Sequence, residues 1–247
     1  MPTDLTKVPH WVRVIGIDPS TTNMGVCIID VDLTQQAPFK LVYADTIKGE
    51  KVLYDIPVQY DDTNETGVLA RSFCLARALG MVLEIHSTIW DDFNVIPAPV
   101  SRTMTGICED NFLGRSPGTF KQLIQFVSMV QEQFTKNEIH LSYVLPMLAK
   151  EVVSAAFRGT EKDDVRDGVL KYEWLDANGF DLSKLDEHSI DALAVALFRC
   201  EVMAESYGVF HKGLAPRRAP PVRDLPIKVK SSRRSRRKKN KGKKEAV

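Results

Sequence analysis

The chain has 247 residues, 44% hydrophobic and 26% charged, which is enough for one α/β domain with a sizeable core but tight for two. No 18-residue apolar run occurs and residues 1–10 lack the charged-then-apolar layout of a signal peptide. Membrane-spanning and secreted classes are set aside on that ground, and a soluble, cytoplasmic protein is expected.

The net charge of +1 conceals an asymmetry, because residues 216–247 carry fourteen Lys and Arg against Asp224 and Glu245, a segment of +12 that leaves −11 for residues 1–215. A body that acidic repels a phosphate backbone on average. Nucleic-acid binding would have to use local basic patches, the tail, or bound cations. Cys27, Cys74, Cys108 and Cys200 are far apart and show no paired zinc spacing, so reduced core thiols are expected.

In chain order, the β-branched run Val12 to Asp18, a Pro-Ser-Thr-Thr-Asn turn and the apolar run Gly25 to Asp30 predict a β-hairpin. Phe39 to Ile47 predicts a third strand, and the polar segment Lys48 to Glu65 a loop. From Gly67 to Ile89 the apolar residues Leu69, Phe73, Ala76 and Leu83 recur at helical spacing. Pro97 and Pro99 break the chain, and Met104 to Cys108 reads as a strand ending on Glu109-Asp110. A helix is predicted from about Pro117, with Phe120, Leu123, Ile124 and Val127 on its buried face. Leu141 to Leu145 follows as a strand. Glu161 to Trp174 and His188 to Met203 then read as helices, the last burying Ile190, Leu193, Ala194 and Leu197. The pattern is α/β: a mixed five-stranded sheet flanked by helices, over residues 1–208. Residues 209–247 form a Pro/Arg/Lys-rich tail that cannot bury a core and is expected to be disordered when free.

A carboxylate at the end of a buried strand is costly unless it is paired or bound to a cation, so Asp18, directly after Val14-Ile-Gly-Ile17, is a candidate metal ligand. The plainer alternative is that Asp18 caps the next turn through the amides of Thr21 or Thr22. Glu109 repeats the arrangement after Thr105-Gly-Ile-Cys108, and two strand-end carboxylates of one sheet can converge. His188 and Asp191 stand three apart and share a face of the last helix, Asp191 abutting its apolar side, while Asp186 and Glu187 suit the helix N-terminus. Such a group makes a hard, oxygen-rich site for Mg²⁺ or Mn²⁺. Two ions about 4 Å apart suit in-line phosphodiester hydrolysis.

These residues carry a resemblance. Gly16-Ile-Asp-Pro-Ser-Thr-Thr-Asn-Met-Gly25 resembles the first motif of the RuvC-type Holliday junction resolvases, in a phage- or virus-like variant, Glu109-Asp-Asn-Phe112 resembles their glutamate motif, and His188-Ser-Ile-Asp-Ala-Leu-Ala194 their C-terminal motif. The resemblance implies a ribonuclease H-like fold and a homodimeric, Mg²⁺-dependent endonuclease. Such an enzyme nicks opposed strands of a four-way DNA junction, leaves 5′-phosphate and 3′-hydroxyl ends, and needs no small-molecule cofactor. Asp18, Glu109, His188 and Asp191 would be its catalytic and metal-binding residues. His188 stands where many members carry aspartate and some carry histidine. By the same resemblance Phe112 would stack at the junction centre, and Arg115, Gln122, Lys150 and Lys162 would contact DNA.

Three other readings fit parts of the sequence. The Gly-Ile-Asp-Pro-Ser-Thr-Thr run also resembles the phosphate loop of the actin and sugar-kinase ATPases, which need a second such domain and loop. A debranching nuclease acting on flaps would share the chemistry. A non-catalytic DNA-binding protein would not need Asp18, Glu109 and Asp191 all to be present.

Overall fold

The computed structural model describes residues 12–49, 52–53, 56–57, 67–92, 103–110, 117–155 and 162–209. Strand β1 (Val12–Asp18) is nearly all β-branched or glycine, and it is buried on both faces. It pairs antiparallel with β2 (Asn23–Val31) in a register that sets Asp18 opposite Gly25. β3 (Phe39–Lys48) continues antiparallel to β2, with a register shift between Ile28 and Ile29.

Within the segment expected to be a loop, β4 (Val52–Leu53) and β5 (Ile56–Pro57) form a small ladder of their own. After α1 (Gly67–Asp92), β6 (Thr103–Glu109) lies parallel to β1. β7 (His140–Val144) follows α2 (Pro117–Lys136) and lies parallel to β6. Helix α3 (Pro146–Val152), helix α4 (Lys162–Leu170), the short strand β8 (Leu175–Asp176), a 3₁₀ turn at Leu182–Lys184 and helix α5 (Glu187–Ser206) complete the described elements. The sheet order is β7-β6-β1-β2-β3-β8, mixed and six-stranded among the described residues, because β8 adds a two-residue edge to the five expected strands.

Strand alternation divides the core between the two faces of the sheet. On one face Val12, Val14, Cys27, Ile29, Ile107 and Val144 meet α5, α3 and α4. On the other, Ile15, Ile17, Val26, Ile28, Cys108 and Leu141 meet α1 and α2. Ile190, Leu193, Ala194 and Leu197 of α5 are buried as expected. The cysteines are free, with Cys27, Cys108 and Cys200 buried. No helix among the described residues is long and apolar enough to cross a membrane.

Several expectations are corrected. Leu69 and Phe73 of α1 are 54% and 62% exposed and Ile124 of α2 is 47% exposed. The stripe of α1 that meets the sheet is Leu75, Ala76, Leu79, Val82 and Leu83, and that of α2 is Leu123, Phe126, Val130 and Phe134. Isolated apolar residues on a helix surface cost little, so apolar spacing alone does not mark the covered stripe. Helix α4 stops at Leu170 instead of running to Trp174, because the chain leaves it to join the sheet edge, where the Phe39 amide donates to the Trp174 carbonyl at 3.1 Å. The basic tail from residue 210 onward lies outside the described residues.

Candidate functional site

Asp18 is the last residue of β1 and, by alternation, falls on the α5 face with Val14 and Gly16. In parallel β6, Cys108 pairs with Ile17, so Glu109 ends its strand beside Asp18; it shares the α5 face with Ile107. Two carboxylates thus stand at adjacent strand ends on the face that α5 covers.

Two glycines let α5 come close enough to reach them. A Cβ added at Gly25 would lie 1.9 Å from the His188 carbonyl oxygen. One added at Gly16 would lie 2.4 Å from the Ala192 carbonyl oxygen and 2.7 Å from the Ala196 nitrogen. Helix backbone rests on strand backbone, which only glycine permits at these positions. Since Gly25 is the register partner of Asp18, the helix residue seated on it, His188, comes to the carboxylate: His188 Nδ1 lies 2.7 Å from Asp18 Oδ2. Asp191 follows one turn later on the same face.

The start of α5 is fixed by a second group. Asp186 is the N-cap, and its carboxylate accepts from the Ser189 amide at 3.0 Å. It also accepts from the Thr46 hydroxyl of β3, which lies 2.9 Å from the Ser189 hydroxyl. Burial would raise the Asp186 carboxyl, but the hydrogen bonds from Thr46 and Ser189 outweigh it and hold the group below the usual carboxylate value. The turn after β1 is closed by Ser20, whose hydroxyl accepts from the amides of Thr22 at 3.3 Å and Asn23 at 3.5 Å. Ser20 thus closes that turn, and the Asp18 carboxylate faces His188.

Charge is crowded here. Burial first, and the Asp18 carboxylate second, push the Asp191 carboxyl up from 3.8 to about 6, with Lys150 partly offsetting them. The hydrogen bond to Asp18 raises the His188 imidazole, against the effect of burial. Burial, followed by the charges of Asp18, Glu109 and Asp110, drives the Cys108 thiol well above its ordinary range. No group of three or more His, Cys, Asp or Glu side chains among the described residues stands close enough to hold a metal ion as placed. The donor chemistry nonetheless suits a hard divalent cation. A half-buried carboxyl that keeps its proton to about 6 beside another carboxylate is in the field that such a cation would relieve.

Of the five residues expected to touch DNA, Lys150 lies on the last turn of α3, close enough to Asp191 to act on its charge. Lys162 opens α4. Gln122 is exposed on α2, which covers the opposite face of the sheet from α5, so it is not brought to His188 and Asp191. Phe112 and Arg115 lie outside the described residues. The sequence reading missed Thr46 as the anchor of α5. Nothing local marks it, since its partner Asp186 is 140 residues away. It also missed the glycines as a close approach, although Gly-x-Asp at a strand end is a readable signal.

A mixed sheet with an antiparallel hairpin, parallel strands beside it and a helix laid across a strand-end carboxylate is a ribonuclease H-like α/β architecture. No protein-family model matches the sequence, and no curated protein does. Among solved structures the fold is similar to T. thermophilus RuvC in complex with a Holliday junction substrate, at 17% identity over 79% of this chain and 96% of that one, with a TM-score of 0.50. It is similar also to Ydc2, the yeast mitochondrial Holliday junction resolvase, at 12% identity over 81% and 82% of the two chains and a TM-score of 0.51. At these identities the likeness is one of fold: the chain has the fold of the RuvC-type resolvases.

Proposed function

We propose that the chain is a metal-dependent endodeoxyribonuclease that resolves four-way DNA junctions. The observation that supports this best is that Asp18 and Glu109 stand at adjacent strand ends on the face covered by the helix that carries His188 and Asp191, with His188 Nδ1 2.7 Å from Asp18. Two solved proteins that share the fold, T. thermophilus RuvC with its Holliday junction substrate and the resolvase Ydc2, favour DNA junctions as the substrate.

Asp18, Glu109, His188 and Asp191 would hold two Mg²⁺ ions, or Mn²⁺ in their place. When bound, the ions supply Lewis acidity toward the phosphodiester and lower the pKa of coordinated water. The chain's own residues do the rest. Asp18 and Glu109 present oxygens from rigid strand ends, where little ordering is left for binding to complete. Asp191 keeps its proton up to about pH 6 and gives it up as positive charge arrives. His188, its Nδ1 engaged by Asp18, has Nε2 left to ligate or to take a proton. Lys150, Lys162 and Arg115 would hold phosphates, Gln122 would contact DNA away from His188 and Asp191, and Phe112 would stack at the branch. Nicking two opposed strands needs two such sites, hence a homodimer. The products are 5′-phosphate and 3′-hydroxyl ends.

The test is a labelled four-way junction incubated with the full chain and Mg²⁺, beside a flap and a linear duplex. Paired nicks in the junction, absent without Mg²⁺ and in Glu109→Gln, are expected. Equal cutting of flap and junction would mark a broader debranching nuclease. Binding without cutting would leave a DNA-binding protein and refute the reading.

A further inference from the structure

The rim of the candidate site carries two exposed apolar side chains that the charge chemistry does not use. Leu145 is 41% exposed and Met147 63% exposed. They directly follow β7, whose last residue Val144 is the register partner of Glu109 and accepts from the Asp110 amide at 2.7 Å. Their place is therefore beside a strand-end carboxylate of the site.

This segment is held firmly. Pro146 occupies the first turn of α3, where its ring pre-sets the backbone. The Leu145 carbonyl accepts from the Leu148 and Ala149 amides at 2.9 and 3.3 Å, closing that turn. Ala149 and Val152, both buried, anchor the helix to the core. Two large apolar side chains on so well-anchored a turn present a shaped surface at little ordering cost.

Met147 also shares a helix face with Lys150, three residues on, and Lys150 is the cation that acts on Asp191. From Asp191 the links run in order to the Lys150 ammonium that acts on its charge, to the Met147 thioether on the same helix face, and to Leu145 at the cap of that helix. That order suits the acidic site, a phosphate, and then an unstacked base or its sugar. Paired duplex offers such an apolar step no exposed base face, whereas a branch point does. Leu and Met are side chains that serve elsewhere as wedges between base steps.

Resting on the nuclease reading above, we infer that Leu145 and Met147 form an apolar step that packs against an unstacked base at the branch point and favours branched DNA over duplex. The step acts on substrate choice and not on the hydrolysis itself.

The experiment uses the full chain with a four-way junction carrying 2-aminopurine at the branch, and a linear duplex of the same sequence. Binding is read in Ca²⁺ and cleavage in Mg²⁺, for wild type, the double variant Leu145→Ala/Met147→Ala, and Met147→Gln, which keeps the length and is tolerated at an exposed position if the double variant melts early. The expected result is a loss of junction affinity of about tenfold, with a smaller 2-aminopurine rise and unchanged duplex binding. Equal weakening on duplex and junction, or an unchanged fluorescence rise, would overturn the inference. If wild type binds the junction but does not cut it, the nuclease reading fails while the Ca²⁺ fluorescence still decides the step.

Discussion

On one face of the sheet Ile15, Ile17, Val26 and Cys108 meet α1 and α2 through a mainly apolar layer. On the other, the same strands present Val14, Gly16 and Asp18 to α5, and the apolar layer stops at the strand ends of Asp18 and Glu109, where His188 reaches Asp18. The first face is fixed by volume and tolerates any apolar residue of about the right size. The second is fixed by backbone-to-backbone approach and by hydrogen bonds, which tolerate much less.

The largest effect should come from filling that approach. Gly25→Ala and Gly16→Ala would each cost about 3 kcal/mol or more, read by thermal or chemical denaturation, because the added methyl meets helix backbone that cannot step aside. Gly118→Ala, with nothing within 4 Å of the added methyl, should be neutral or stabilising by about 1 kcal/mol at most. Equal losses at Gly25 and Gly118 would remove the close-packing account of α5.

The apolar face has its own polar inclusion. The Arg13 guanidinium binds both oxygens of Asp30 at 2.6 and 2.8 Å and donates to the His86 carbonyl at 2.6 Å. Burial, and then the Arg13 charge, lower the His86 imidazole from 6.5 to about 4. A base depressed in the fold contributes stability that is present above its unfolded pKa and lost as pH falls toward its folded one. Between pH 7 and 5 this amounts to about 2 kcal/mol. Denaturant titrations should show that loss in wild type and a flatter profile in His86→Phe.

On the α5 face the sign reverses. Asp191 is an acid raised to about 6, so ionising it costs the ligand-free fold stability as pH climbs from 3.8 through 6. Asp191→Asn should be more stable than wild type by about 1–2 kcal/mol at pH 7.5 without divalent ions, and no more stable at pH 4. Adding Mg²⁺ should raise the melting temperature of wild type and leave that of the variant nearly unchanged.

The smallest effect belongs to Leu69 and Phe73, whose replacement by Gln should stay within about 0.5 kcal/mol, against about 2–5 kcal/mol for Leu79→Ala on the covered stripe. Melting curves at low protein concentration would check both.

The contrast between faces also explains what could be read from the sequence. The hairpin, the parallel strands and the last helix announce themselves because each is a run of buried residues bounded by turn formers or polar residues. Asp18 and Glu109 stand out because an acid at the end of such a run is costly. What escaped depends on partners far along the chain: Thr46 anchoring Asp186, the two-residue β8 at the edge of β3, and α3, a seven-residue helix whose apolar content is too short to show a period. Helix faces were misread where Leu69 and Phe73 continue an apolar spacing that no neighbour covers.

The central claim is that the carboxylate group under α5 cuts branched DNA, and Asp18→Asn tests it most directly. The variant keeps the size of the side chain and an oxygen to face His188 while removing the charge. On a synthetic four-way junction with Mg²⁺, wild type should leave paired symmetric nicks, and the variant should bind with similar affinity and cut at least 10²-fold more slowly, on the order expected for removing a metal ligand. Equal cutting by wild type and Asp18→Asn would contradict the account.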